Sequence, residues 1–60
     1  MKKVLVVDDE PSIVTLLTFN LEKEGYKVIS AVDGQIGLDL ALEQSFDFII
    51  LDVMLLPLTG

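Results

Sequence analysis

Asp8, Asp9 and Asp52 are the residues of this chain whose types and placing could do chemistry. Asp8-Asp9-Glu10 follows directly on the apolar run Lys3-Val4-Leu5-Val6-Val7, and Asp52 follows on Phe48-Ile49-Ile50-Leu51. If the two runs are neighbouring parallel strands, their carboxyl ends lie side by side and the three aspartates converge on one patch. Two carboxylates about 4 Å apart repel by roughly 4 kcal/mol at an effective dielectric near 20, and a divalent cation removes that cost. The chain has no histidine and no cysteine, so its donors are hard oxygens, which favour magnesium or a similar oxygen-seeking ion over zinc. Magnesium there would supply a counter-charge for a phosphoryl group. Taken singly, these residues have plainer explanations. Acids ahead of a helix complement its dipole for about 0.3 to 1 kcal/mol each, and a lone aspartate after a strand can simply start a loop. The pairing of two strand ends is what singles them out.

The elements that must position these acids are legible from spacing. Lys3 to Val7 is a continuous aliphatic run, the pattern of a central strand covered on both faces in a parallel sheet. Glu10-Pro11-Ser12 opens a helix, with Pro11 in the first turn where no backbone donor is needed. Ile13, Leu16, Leu17 and Leu21 recur as one apolar stripe, and Lys23-Glu24-Gly25 ends the helix, with Gly25 suited to a left-handed cap. Tyr26 to Val32 reads as a more polar strand that fits a sheet edge, and Asp33-Gly34 turns the chain. From Gln35 to Gln44 a second helix presents Leu38, Ala41 and Leu42 inward, with Gly37 small enough for close approach to the sheet. Phe48 to Leu51 is the third strand, fully apolar. Asn20 is expected to be partly buried on the apolar side of the first helix, the four lysines solvated, and Phe19 and Tyr26 ordinary packing residues.

Strand, helix, strand, helix, strand implies parallel pairing through right-handed crossovers. With the first strand between the other two, order 2-1-3, the winding reverses there and the helices fall on opposite faces. Ligands of such sheets bind outside the strand carboxyl ends at the reversal, where the three aspartates are expected. The fold class is therefore α/β.

Bulk properties narrow the function. Sixty residues make one small domain at most, and the two prolines and four glycines are scattered rather than gathered into a linker. An apolar content of 52% is too high for a disordered segment and too interrupted by charge for a membrane span. Met1-Lys2-Lys3 leads into a short apolar run ending in acids, without the chemistry of a signal peptide, so a cytoplasmic location is expected. A net charge of −6 with only four basic residues argues against direct nucleic-acid contact by this segment. Gly-rich phosphate loops of the GxGxxG and GxxxxGK[ST] kinds are absent.

The strings Val4-Leu5-Val6-Val7-Asp8-Asp9-Glu10-Pro11, Gly25-Tyr26-Lys27-Val28, Asp33-Gly34 and Ile50-Leu51-Asp52-Val53-Met54, in this order and at these spacings, strongly resemble the receiver domain of bacterial two-component response regulators. The likeness spans the whole chain and is greatest to receivers of regulators that carry a winged-helix DNA-binding domain, hence to transcription regulation. It implies a flavodoxin-like sheet, of which residues 1–60 would be the N-terminal half. It also implies that Asp52 is the phosphoacceptor, taking a phosphoryl group from a sensor histidine kinase. Mg²⁺ would be bound by Asp9 and Asp52 through their side chains and by Met54 through its main-chain carbonyl. Asp8 would serve through a water or a hydrogen bond. Such a chain is a kinase substrate in signal transduction and not a turnover enzyme.

Two departures from the family pattern stand out. The proline usual four residues after the acceptor is replaced by Leu56 and comes at Pro57, while Thr59 occupies a place where an acid is common; Gly60 still falls eight after. Proline fixes its own φ and restricts the residue before it, so this shift alters the loop beside the acceptor. A full receiver would also continue with two further strands bearing a Ser or Thr and a Lys that bind phosphoryl oxygens. Without them the third strand loses its outer neighbour and presents an apolar edge. The segment is then expected to be stable only by pairing with the missing C-terminal half or by self-association. Two rival readings are a fragment acting solely as a self-associating structural module, never phosphorylated, and an acid-rich phosphohydrolase, which would need a further general acid or base.

Overall fold

Four consecutive aliphatic side chains leave water only if their strand is covered on both faces, and this requirement places Lys3–Val7 at the centre of the sheet. The computed structural model describes residues 1–51, in the order β1 (Lys3–Val7), α1 (Pro11–Lys23), β2 (Lys27–Ala31), α2 (Gly34–Glu43) and β3 (Phe48–Leu51). The three strands are parallel in the order β2-β1-β3. Val4, Leu5, Val6 and Val7 are each no more than 1% exposed, so β1 is dry on both sides.

The two faces are built from alternate β1 residues. Val4 and Val6 pack with Val14, Leu17 and Leu21 of α1 and with Tyr26 and Val28, whereas Leu5 and Val7 pack with Ala31, Leu40, Ala41 and Phe46 on the α2 side. The helices therefore lie on opposite faces. Two crossovers of one hand produce this when the chain moves first from β1 to one neighbour and then back across it to the other.

Local chemistry explains the element ends. Pro11 takes the first helical position of α1, and Glu10 is the cap residue without a side-chain cap bond. At the other end Gly25 has φ of 94°. The Gly25 N–H donates to the Glu22 carbonyl (3.0 Å) and the Tyr26 N–H to the Leu21 carbonyl (3.0 Å). This bond pair is the Schellman motif, accompanied by its apolar contact between residues of the Leu21 and Tyr26 kind. Because the Tyr26 N–H is spent on the cap, β2 starts at Lys27 rather than Tyr26. It ends at Ala31, with Val32 half exposed before the turn.

The rotation of both helices differs from the expected stripes. In α1 the sheet-facing residues are Val14, Leu17 and Leu21, while Ile13 and Leu16 are 39% and 59% exposed. This helix carries more aliphatic residues than one face can hold, so several overlapping 3.6-residue stripes fit its sequence. Asn20 is exposed, its side-chain amide donating to the Leu16 carbonyl (2.9 Å) one turn back. In α2 the inward residues are Gly37, Leu40 and Ala41. Leu42 is 78% exposed, and Leu38 is half exposed, bordering an apolar trough over Ile49 and Leu51.

Gly37 sets that rotation. A Cβ built on it would lie 2.6 Å from one Val7 methyl and 2.9 Å from the other, so only glycine lets the helix backbone approach β1 this closely. Gly37→Ala is expected to lower stability by about 1 to 2 kcal/mol: the close contacts put the overpacking cost in the upper part of its range, about 2 to 3 kcal/mol, less a gain of about 1 kcal/mol in helix propensity. The shift of the urea midpoint measures it; an unchanged or raised midpoint would show that α2 does not rest on Val7.

β3 stands apart from the rest of the sheet. It pairs with β1 along Val4↔Phe48 to Val7↔Leu51, yet all four residues remain 37% to 48% exposed. The apolar third strand expected at the opposite edge from β2 is present, with both of its faces largely bare among the described residues.

Candidate functional site

The carboxyl end of the sheet is where the strands deliver their acids. Asp8 follows Val7 without a break, and its direction is fixed at two atoms. Its backbone N–H donates to the Ala31 carbonyl of β2 (3.1 Å), and its Oδ1 accepts from the Glu10 N–H (2.9 Å). This second bond closes the turn between β1 and α1, so one Asp8 oxygen is committed to the backbone. Asp8 is half-buried, whereas Asp9 and Glu10 are exposed. The Glu10 carbonyl accepts from the Ile13 and Val14 N–H groups (3.0 and 3.1 Å) and starts α1.

Register brings the carboxyl end of β3 alongside that of β1. Leu51, to which Asp52 is bonded, is the Cα partner of Val7, to which Asp8 is bonded. Neighbouring strands lie about 4.8 Å apart. The structure thus brings Asp8 and Asp9 together beside the end of β3. Asp52 and Met54 lie outside the described residues, as do Leu56, Pro57, Thr59 and Gly60.

A further acid at this end, Asp33 after β2, was legible only as half of an Asp-Gly turn. It is the N-cap of α2, and its Oδ1 accepts from the Gln35 and Ile36 N–H groups (2.6 and 3.3 Å). That carboxylate is already satisfied by a helix start, which distinguishes it from Asp9.

The lysines gather at the opposite end. Lys2 and Lys3 precede or begin β1, Lys27 begins β2, and Lys23 ends α1, which runs back from the acidic end. Lys3 is more engaged than expected of a solvated residue. Its ammonium bonds the Gln44 side-chain oxygen and lies 5.0 Å from the Phe46 ring centroid. Its N–H donates to Asp47 Oδ2 (2.8 Å). Lys2 lies 5.7 Å from the Phe48 ring centroid. Since β1 is about 13 Å long at roughly 3.3 Å per residue, the cations are held a strand length from Asp8 and Asp9.

The resulting field is one-sided at the carboxyl end: Asp8, Asp9, Glu10 and Asp33 are there, and all four basic residues of the chain are elsewhere. Hard oxygen donors without a neighbouring lysine suit a divalent cation of the magnesium type. Among the described residues no group of three metal-ligating side chains forms a complete site. Asp8 and Asp9 are two adjacent carboxylates at this end of the sheet.

Comparison with known proteins bears on the family and the fold. Residues 4–60 match the family model described as response regulator receiver domain. The alkaline phosphatase synthesis transcriptional regulatory protein PhoP of Bacillus subtilis (strain 168) is 59% identical over 59 residues, covering 98% of this chain and 25% of that protein. The structure of the chemotaxis response regulator CheY4 of Vibrio cholerae superposes with a TM-score of 0.89 at 42% identity, covering 100% of this chain and 49% of that one. CheY4 crystallised at pH 4.0 gives 0.78 at 43% identity, over 82% and 41%. The chain therefore spans about a quarter of the curated relative and about half of the solved one.

Proposed function

The chain belongs to the response regulator receiver domain family, and we propose that it carries the phosphoacceptor of a two-component signalling protein, with Asp52 as the acceptor. The observation that carries this reading is the Val7↔Leu51 register, which sets the residue before Asp52 against the residue before Asp8 at an end of the sheet free of lysine. Asp9 and Asp52 through their carboxylates, and Met54 through its main-chain carbonyl, would hold Mg²⁺. Asp8, with Oδ1 tied to the Glu10 N–H, contributes its remaining oxygen through a water or a hydrogen bond. When bound, the cation neutralises charge on the phosphoryl oxygens.

An Asp52 carboxylate oxygen attacks the phosphorus in line; a phosphorus–oxygen bond forms as the bond to the donor breaks, leaving an acyl phosphate on the protein. Such a reaction asks mainly for positioning, which the strand ends would provide, and for charge neutralisation, which the bound cation would supply. The donor would be the phosphohistidine of a sensor histidine kinase. The phosphorylated domain then biases an output domain, here one for transcription, in the cytoplasm. Acetyl phosphate with Mg²⁺, followed by intact mass of the receiver containing this segment, tests the proposal. One added phosphoryl group is expected, and an unchanged mass would favour a purely structural module.

We also propose that residues 1–60 are the N-terminal half of a receiver. The bareness of β3, 37% to 48% exposed at every residue, supports a segment completed by the remaining half or, without it, by a second copy. Light scattering over a concentration series of the isolated chain is expected to show association. A folded monomer persisting at micromolar concentration would contradict this.

A further inference from the structure

We draw no further inference here: the strongest candidate, the apolar trough on either side of β3 formed by Phe48 and Ile50 towards α1 and by Ile49 and Leu51 towards α2, is an unpartnered face, and nothing in the structure shows what covers it.

Discussion

Asp52→Asn is expected to abolish phosphoryl uptake from acetyl phosphate while leaving the fold intact. The amide is nearly the same size as the carboxylate but is neutral and a far poorer nucleophile, so the attacking oxygen is lost without a change of shape. If Asp52 shares a site with Asp9 as proposed, the same substitution removes one of two close carboxylates, which repel by roughly 4 kcal/mol at about 4 Å and an effective dielectric near 20. Without Mg²⁺ the variant should therefore be as stable as the native protein or more so. Adding Mg²⁺ should reverse the order, because a ligand binding only the folded state stabilises by an amount that grows with the logarithm of its concentration, about 2.7 kcal/mol at one hundred times Kd. The native receiver should gain that stabilisation and the variant should lose most of it. Thermal melts with and without Mg²⁺, beside the intact-mass assay, read both effects. Phosphoryl uptake by Asp52→Asn equal to that of the native protein would remove Asp52 from the account.

Leu5→Ala is expected to cost about 2 to 5 kcal/mol, the range for truncating a buried leucine whose neighbours collapse only in part. Leu5 is fully buried at the middle of β1, against the α2-side core. It is flanked by paired strands on both sides, so little can move in to fill the space. Native stabilities are only about 5 to 15 kcal/mol, and a core this small has no disulfide to fall back on. Leu42→Ala, on the same side of the sheet but 78% exposed, should change stability by no more than about 0.5 kcal/mol. Urea denaturation of the two variants checks the rotation of α2. Equal losses would mean that Leu42, and not Leu40, faces the core.

The elements were readable because strong local signals agreed. The aliphatic run of β1, Pro11 at the start of α1, Gly25 at its end and the apolar string from Phe48 to Leu51 each leave few alternatives. Strand order followed from β1 being the run that most needs cover on both faces, with the more polar Lys27–Ala31 left for an edge. Helix rotation was less accessible. Ile13, Val14, Leu16, Leu17 and Leu21 offer overlapping stripes, and which one meets the sheet depends on packing across the chain. In α2 the deciding contact joins Gly37 to Val7, thirty positions apart in sequence; the sequence announced the close approach of Gly37, but not that it would roll Leu42 out into solvent. Asp8 and Asp9 at the tip of β1 were legible as types and spacing, while Asp52 lies outside the described residues. The commitment of Asp33 to a helix start and of one Asp8 oxygen to the Glu10 N–H came only from three-dimensional bonding. The distribution of lysines could have been found earlier by following each element's direction, since parallel strands joined by returning helices put residues 2, 3, 23 and 27 at one end.

A titration with Mn²⁺ in place of Mg²⁺, read by paramagnetic broadening of amide signals in isotope-labelled receiver, tests directly whether the two strand tips share one cation. Signals of Asp8, Asp9 and Asp52 should broaden together at low metal and recover when excess Mg²⁺ is added, while those of Lys3 and Asp47, a strand length away, stay sharp. Broadening of Asp9 without Asp52, or first broadening at the lysine-bearing end, would contradict a shared site.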